Sequence, residues 1–324
     1  MVNADKVRDG TGETDATLLS VAIAAFEGAL KLDRELGVAW LGMARTQRLL
    51  RNLDGAEEAL TRARRLLSED DPSSAAEAAL LALDQGDIAS AANLIDAADI
   101  HGDSPVITYV RGNIEARSGH LERALDYYSR TLKLDTNHIR ARLNRCSIHM
   151  AMGEGRKALD DAEILLDLAP NFTLARFRKA EAEMMLNEWS RAREDLDVVL
   201  EKAPHHHQAL TQLAACFIAL ERPERAETPL NEALRIAPDY APAWHQRGLL
   251  YLEWGRNDNA MSDFEAAVKA DTQHLDSRLH IAAMHHEAEQ FDLAATAWRS
   301  VLQIDPDNLV AKTRLDECEV KLMA

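Results

Sequence analysis

The sequence of 324 residues predicts an all-α fold built as a solenoid of antiparallel helix pairs. Three observations predict it: a composition suited to helices, prolines that recur at a constant interval, and alanines that keep the same interval. Aromatic residues make up 5% of the chain, whereas alanine and leucine, which are strong helix formers, abound. Few β-branched or aromatic runs remain from which to build a sheet.

The prolines and alanines set the phase of the repeat. Pro170, Pro204 and Pro238 are evenly spaced, and proline favours a turn because it blocks helix continuation. Their interval of about 34 residues lies in the range that indicates a repeat architecture. A small residue keeps this repeat interval on the second helix of each pair, at Ala124, Ala158, Ala192, Ala226, Ala260 and Ala294. Since a larger side chain would push two closely crossing helices apart, these coincidences predict stacked helical hairpins.

One repeat carries a complete motif of large and small residues. Its first helix has Trp244, Gly248 and Tyr251, and its second helix has Ala260, Phe264 and Ala267. In this pattern the sequence resembles the tetratricopeptide repeat (TPR) family, from about residue 17 to residue 322. The resemblance implies a right-handed superhelix, or α-solenoid, whose first helices line an inner groove and whose second helices lie outside.

The glycines between helices and the arginines at a usually apolar position allow specific predictions about local structure. Gly86, Gly119, Gly153 and Gly255 fall between the two helices of their repeats, where we expect the positive φ angle that ends a helix. Arg142 and its equivalent one repeat later, Arg176, stand where the family often has a large apolar residue. We expect wetter packing at one of these helix crossings.

The repeats divide the chain into three predicted segments. Residues 1–16 are interpreted as a flexible segment or an incomplete first helix, since Gly10 and Gly12 interrupt it. Residues 17–308 are expected to form about eight full repeats and one partial repeat. Residues 309–324 are expected to form a helix that caps the last repeat.

The net charge, the cysteines and the apolar runs limit the expected partners and the expected location of the protein. The net charge of −17 repels phosphate backbones, so nucleic acid is not an expected partner. Cys146, Cys216 and Cys318 form no CxxC pair and are expected to be reduced and packed, which fits a cytoplasmic location. No apolar run reaches the length that spans a bilayer, so membrane insertion is not expected.

Two histidine-containing motifs in the sequence do not meet the requirements of a metal site or a catalytic site. His205, His206 and His207 are adjacent on a predicted turn, whereas a specific metal site needs convergent ligands. His285, His286 and Glu287 resemble part of a zinc-protease motif, but Gln290 replaces its second histidine. We find no phosphate-binding loop and no nucleophile motif. The sequence therefore predicts no metal, no cofactor and no catalytic residue.

The repeat phase and the family resemblance together place fifteen residues in the inner groove as candidate partner contacts. They are Tyr109, Asn113, Arg117, Arg140, Leu143, Asn144, Ser147, Phe177, Arg178, Glu181, Met184, Gln212, His245, Gln246 and His280. Aromatic residues and arginine often dominate binding energy, and methionine adapts to varied apolar surfaces. A phase error of one residue would instead move Phe177 and Met184 into the core, and this alternative stays open.

Five of these candidates recur at the repeat interval: Asn144, Arg178, Gln212, Gln246 and His280. They are similar to the asparagine ladders with which some TPR proteins hold a peptide backbone, although the family also favours asparagine there for structural reasons. Asn113, Asn144 and Arg178 also match the carboxylate clamp of chaperone-binding TPR proteins. Tyr109 and Leu174 replace the lysines of that clamp, which disfavours capture of a terminal carboxylate.

The sequence therefore predicts a non-enzymatic scaffold or adaptor that binds a partner peptide or helix in its groove. The identity of the partner is not encoded in the pattern. Two alternatives stay open: a self-assembling structural scaffold, which would form homo-oligomers, and the docking or regulatory region of a larger enzyme. Fold alone does not decide among these functions.

Overall fold

The computed structural model describes residues 16–68, 71–98 and 104–323. These residues form eighteen α-helices and no β-strand, which confirms the predicted all-α class. The predicted N-terminal segment 1–16 lies outside the described residues, apart from Ala16. The chain divides into two compact units, residues 1–187 and residues 188–324. Within each unit, consecutive helices pack against each other, as expected for a chain of helical hairpins.

The two units contain ten and eight of the described helices. The helices of unit 1 are α1 (Ala16–Leu32), α2 (Gly37–Leu49), α3 (Leu53–Leu66), α4 (Pro72–Asp84), α5 (Ile88–Ala98), α6 (Pro105–Arg117), α7 (Leu121–Leu134), α8 (Ile139–Ala151), α9 (Gly155–Leu168) and α10 (Thr173–Met185). The helices of unit 2 are α11 (Trp189–Lys202), α12 (His207–Ala219), α13 (Glu227–Ile236), α14 (Ala241–Glu253), α15 (Asn257–Ala270), α16 (Leu275–Glu287), α17 (Phe291–Ile304) and α18 (Leu309–Met323). The predicted grouping of these helices into repeats and a cap stays a prediction.

The six alanines that recur at the repeat interval are all fully buried. Their burial confirms the packing role that the sequence predicts for them. Glycine serves the same purpose on two first helices: a Cβ at Gly112 would lie 2.5 Å from Cε1 of Tyr128, and one at Gly248 would lie 2.7 Å from Cε1 of Phe264. A ring of the second helix therefore lies directly against the backbone of the first helix.

The turns between helices confirm the glycine prediction and extend it. Gly86, Gly119, Gly153 and Gly255 have φ angles between 68° and 85°. Asn187, Glu221 and Glu289 fall at the same repeat position and also have positive φ, between 56° and 60°. The repeating hairpin thus imposes a left-handed residue even where the sequence supplies a side chain, at a local cost of about 1 kcal/mol each.

Arg142 is 7% exposed, so the packing at its crossing is not wetter, whereas Arg176 is half-buried and its 3.5 Å bond to the carbonyl oxygen of Pro170 is exposed. Nη2 of Arg142 donates a 2.8 Å hydrogen bond to the carbonyl oxygen of Thr136, in the preceding turn. Trp244 Nε1 makes the equivalent bond to Pro238 at 2.8 Å. Arginine replaces tryptophan at this position because both present an N–H donor on a long planar group that reaches the turn carbonyl.

Buried arginine–aspartate pairs join the two helices of some repeats. Arg145 makes a bidentate pair with Asp161, through contacts of 2.7 and 2.8 Å, and Arg142 also donates to Asp161. Three repeats later, Arg247 makes the same bidentate pair with Asp263. Asp161 and Asp263 are 2% and 3% exposed, so each carboxylate depends on its arginines for compensation of its buried charge.

Candidate functional site

An open cleft of about 350 Å³ lies on the first-helix face of unit 1. First helices supply nearly all of its walls, because successive first helices of stacked hairpins lie side by side: α2 contacts α4, and α4 contacts α6. The residues that line it are Arg48, Leu49, Arg51, Leu80, Leu83, Asp84, Tyr109, Asn113, Ala116, Arg117, Tyr128, Arg140, Asn144, Ser147 and Ile148. A concave site with a few convergent polar groups is the usual form of a ligand site.

The cleft brings together six of the fifteen residues predicted for the groove. They are Tyr109, Asn113 and Arg117 on α6, and Arg140, Asn144 and Ser147 on α8. Asn113 and Asn144 are both half-buried. Their use as partner contacts stays a prediction, but their convergence on one concave surface is a property of the structure.

A hydrogen-bonded amide network forms the polar centre of the cleft. Asn113 Oδ1 accepts hydrogen bonds from the hydroxyl of Tyr128 and from Nδ2 of Asn144, each at 2.8 Å. These bonds use one end of each amide, so Nδ2 of Asn113 and Oδ1 of Asn144 are the donor and the acceptor that each could offer to a ligand. Burial raises the pKa of Tyr128 far above its usual value, and its hydroxyl therefore stays protonated as the donor to Asn113.

Four arginines and one aspartate give the cleft its charge. Arg48 is buried and pairs with Glu77 and with Asp84, and Arg51 reaches Asp84 at 3.4 Å. Arg117 is exposed and donates to the neutral carbonyl oxygen of Leu83 at 3.4 Å. The cleft is therefore a cationic surface within a protein of net charge −17.

The sequence analysis missed nine of the fifteen residues that line the cleft, and four of the nine have polar side chains: Arg48, Arg51, Asp84 and Tyr128. A spacing signal was present, because Arg51, in the turn after α2, follows Arg48 by three residues, and their acidic partners Glu77 and Asp84 lie two turns apart on α4. Such ion pairs between first helices of neighbouring repeats cannot be recognised within a single repeat. Tyr128 occupies the position of the large second-helix residue, which the family pattern assigns to packing.

The candidates on α10 belong to a different environment. Phe177 is 3% exposed, so its interpretation as a groove contact is wrong: the ring lies in the core, as a phase shift of one residue requires. Arg178 and Glu181, both predicted partner contacts, form an ion pair of 2.6 Å on the same helix. Met184 is half-buried on α10, and Leu143 is half-buried on α8 without lining the cleft.

Two of the four candidates in unit 2, His245 and His280, lie in an aromatic cluster instead of an amide network. His280 stacks on Phe264 with 4.9 Å between ring centroids and 10° between planes, and His245 lies 5.4 Å from His280. Burial, and next the nearby His274, lower the pKa of His245 to about 4. Gln212 and Gln246 are half-buried on α12 and α14.

The histidine and cysteine motifs have structural environments. His206, one of three adjacent histidines, caps α12 by accepting a hydrogen bond from the amide of Ala209 at 3.2 Å. Within the described ranges, no group of three or more histidine, cysteine or acidic residues is placed to hold a metal ion. All three cysteines are buried free thiols, and burial raises the pKa of Cys146 to about 12.

In the part of the chain that the structure describes, no helix combines the length and the apolar composition needed to cross a bilayer.

Comparison with known proteins places these features in a family context. Three sequence models, each described as tetratricopeptide repeat, match residues 187–247, residues 241–274, and residues 76–139 with 144–205. No curated protein matches the sequence.

Among solved structures, the chain is similar to one in the APC/C hetero-tetramer Cut9–Hcn1, with a TM-score of 0.67 and 16% identity. That match covers 96% of this chain and 60% of the other. A tetratricopeptide repeat protein from Parabacteroides merdae gives a TM-score of 0.56 and 17% identity, and the match covers 76% of this chain and 98% of that one. At these identities the similarity shows the fold alone.

Proposed function

The chain belongs to the tetratricopeptide repeat family, and we propose that it is a protein-interaction scaffold whose unit 1 cleft binds an extended segment of a partner protein. The observation that carries this proposal is the convergence of six predicted groove residues on one cleft around the Asn113–Asn144 amide network. Repeat scaffolds commonly use such concave surfaces for binding.

The amide network supports recognition of a peptide backbone. Nδ2 of Asn113 offers a donor and Oδ1 of Asn144 offers an acceptor, and these match the C=O and N–H groups of an extended chain. The bond between Asn113 and Asn144 and the bond from Tyr128 fix the orientation of both amides before a ligand arrives. A partner segment therefore meets preorganised groups, which lowers the entropic cost of binding.

The charge of the cleft supports an acidic partner segment. Asp84 and Glu77 compensate Arg48 and Arg51, whereas Arg117 is exposed and bonded to a carbonyl oxygen. A guanidinium group in a concave site favours a carboxylate through a charge-assisted hydrogen bond. The acidic exterior would repel an acidic partner elsewhere, so such a segment is directed to the cleft.

We propose that the function is non-catalytic. The polar side chains of the cleft are mainly amides, arginines and tyrosines, and its protonated Tyr128 hydroxyl is a hydrogen-bond donor to Asn113 rather than a nucleophile. Cys146 on α8 is buried, and its raised pKa keeps it a thiol at neutral pH. The three buried free thiols also support the cytoplasmic location that we propose.

Selection of ligands from a random peptide library tests the proposal. We expect the selected peptides to be enriched in aspartate and glutamate. We expect the double variant Arg117→Ala, Asn144→Ala to bind them at least tenfold more weakly in a fluorescence-anisotropy titration. The matched control is Arg123→Ala, an exposed arginine on α7, which should bind as the parent does. Peptides without acidic enrichment, or an unchanged affinity of a folded double variant, would overturn the proposal.

A further inference from the structure

Helix α1 is apolar around most of its circumference. Leu19, Ala22 and Leu30 are buried, and Leu30 lies in a core cluster with residues of α2 and α3. Surface helices of folded domains usually present polar residues opposite such a buried face. On α1, the exposed polar residues Ser20, Glu27 and Lys31 occupy a narrow edge, and apolar residues cover most of the remaining exposed surface.

Five exposed apolar residues of α1 form a regular stripe, with the exposed Ala24 beside it: Leu18, Val21, Ala25, Gly28 and Leu32. Their successive spacings are three, four, three and four residues, which is the spacing of the contact seam between two packed helices. Leu18 is 43% exposed, Val21 51% and Leu32 92%. A Cβ placed on Gly28 would meet no atom within 4 Å. The stripe therefore has room for a second helix along its length.

We infer that this stripe, here called the α1 seam, binds the α1 seam of a second copy of the chain in an antiparallel pair. The order of side-chain sizes along the seam supports this occupant. In an antiparallel pair, Leu18 of one chain faces Gly28 of the other, and Val21 faces Ala25, so that the symmetry produces four layers. Every layer combines a large side chain with a small one, which allows the helices to approach closely and pack without voids.

A two-fold axis makes the contact self-complementary, as closed homodimers require. The pair cannot add a third chain through the same contact, because each chain has one α1 seam and both seams are already used.

Residues 1–15 offer a poorer occupant for the α1 seam. Residues 8–15 read Arg-Asp-Gly-Thr-Gly-Glu-Thr-Asp and contain no large apolar side chain. Residues 1–7 supply Met1, Val2 and Val7, which is less apolar surface than a seam that runs from Leu18 to Leu32 requires. A second copy supplies a matching apolar stripe for the four layers from Leu18 to Gly28, and Leu32 lies beyond these layers.

Four layers form a contact that is smaller than a standard stable protein interface. We therefore expect a reversible dimer whose population depends on protein concentration. Sedimentation velocity over a concentration series should show a monomer that converts to a dimer as the concentration rises. A parent protein that stays monomeric throughout the series would overturn the inference, and would indicate that residues 1–15 or another protein covers the seam.

A surface substitution tests whether the seam is the contact. Val21→Glu places a carboxylate in two symmetric layers, and we expect at least a tenfold rise in the dissociation constant of the dimer. Val38→Glu is the matched control, because Val38 is 55% exposed on α2 and lies outside the seam. We expect it to dimerise like the parent. Equal dimerisation of Val21→Glu and the parent would contradict the inference.

Mixing two variants tests the register of the pair. Val21→Glu and Ala25→Lys should each be monomeric alone, since each buries an unpaired charge against its own copy. In the mixture, the predicted register joins the introduced carboxylate to the introduced ammonium in one layer and keeps the native Val21–Ala25 contact in the other. Recovery of the dimer by the mixture, with unchanged helicity of both variants, is the expected result. Absence of recovery would reject the antiparallel register.

Discussion

The repeat of α6 and α7 in unit 1 and the repeat of α14 and α15 in unit 2 use the same positions for different chemistry. Tyr128 and Phe264 are equivalent in the repeat phase, and each lies against a glycine of its first helix. The hydroxyl of Tyr128 binds Asn113, whereas Phe264 has no hydroxyl and Leu249 stands at the position equivalent to Asn113.

The first helix of the following repeat shows the same difference between the two units. Asn144 joins the amide network, and its equivalent His280 stacks on the ring of Phe264. The hairpin backbone is thus the same in both repeats, whereas three side chains differ together. Tyr128, Asn113 and Asn144 form a polar set, and Phe264, Leu249 and His280 form a largely aromatic one. This comparison teaches that the chemistry of the surface depends on side chains that contact each other and differ as a group, while the backbone of the helical hairpin stays the same.

The buried carboxylates give the largest expected difference between the two units. Asp161→Ala should lower the free energy of unfolding by about 3–5 kcal/mol, because it leaves Arg142 and Arg145 without their buried carboxylate. Asp263→Ala should cost less, since its bidentate partner is the single guanidinium of Arg247, whereas Asp161 pairs with two arginines. Chemical denaturation followed by circular dichroism measures both losses.

The exposed neighbour Asp160 provides the control for this comparison. Asp160→Ala removes an exposed pair with Arg156 and should change stability little. A loss as large for Asp160→Ala as for Asp161→Ala would contradict the account of the buried pairs.

Exchanging the equivalent rings should give an intermediate effect. Phe264→Tyr should destabilise the protein by about 1–3 kcal/mol, because the new hydroxyl is fully buried and faces Leu249 in place of an amide. The double variant Phe264→Tyr, Leu249→Asn should recover part of that loss by recreating the unit 1 bond. Tyr128→Phe should cost about 1 kcal/mol, the net value of a hydrogen bond. Thermal unfolding of the four proteins measures these differences, and a neutral Phe264→Tyr would be inconsistent with the comparison.

The histidine cluster of unit 2 should give a smaller effect than the Phe264→Tyr exchange in the same unit, and its sign follows from the direction of the pKa shift. Burial lowers the pKa of His245 to about 4, from an ordinary value of 6.5. As the pH falls from 6.5 to 4, the unfolded chain binds a proton that the folded protein does not bind at this site, so stability is lost within that window. The loss should be about 1–2 kcal/mol after allowance for partial solvent exposure.

A comparison of variants isolates this contribution. The difference in unfolding free energy between pH 7 and pH 4.5 should be smaller in His245→Leu than in the parent. His205→Leu, which changes an exposed histidine, is the control and should behave as the parent does. An identical pH dependence of parent and His245→Leu would show that His245 does not resist protonation.

The sequence predicted the features that depend on one repeat at a time. The constant interval identified the helix class, the buried alanines and the glycine turns, because each follows from the geometry of a single hairpin. It also predicted six residues that converge on the unit 1 cleft, since every first helix presents the same face.

Features that join neighbouring repeats or depend on fine phase were not predicted. Arg48 and Asp84 belong to different hairpins, so their pairing depends on how the hairpins stack. Phe177 was predicted to face the groove, but a shift of one residue along a helix moves a side chain from the groove face to the core face. Its burial shows that it lies on the core face. The burial of Arg142 was not predicted either, because it depends on a hydrogen bond to the preceding turn that Trp244 also makes in its own repeat.

The most direct measurement of the central claim is to map where a bound peptide contacts the protein. An acidic peptide selected by the parent would carry a photoreactive group, and the sites of crosslinking would be identified by mass spectrometry. The account predicts adducts on α2, α4, α6 and α8 around Asn113 and Asn144, and their loss in the Arg117→Ala, Asn144→Ala variant. Adducts confined to second helices or to unit 2 would contradict it.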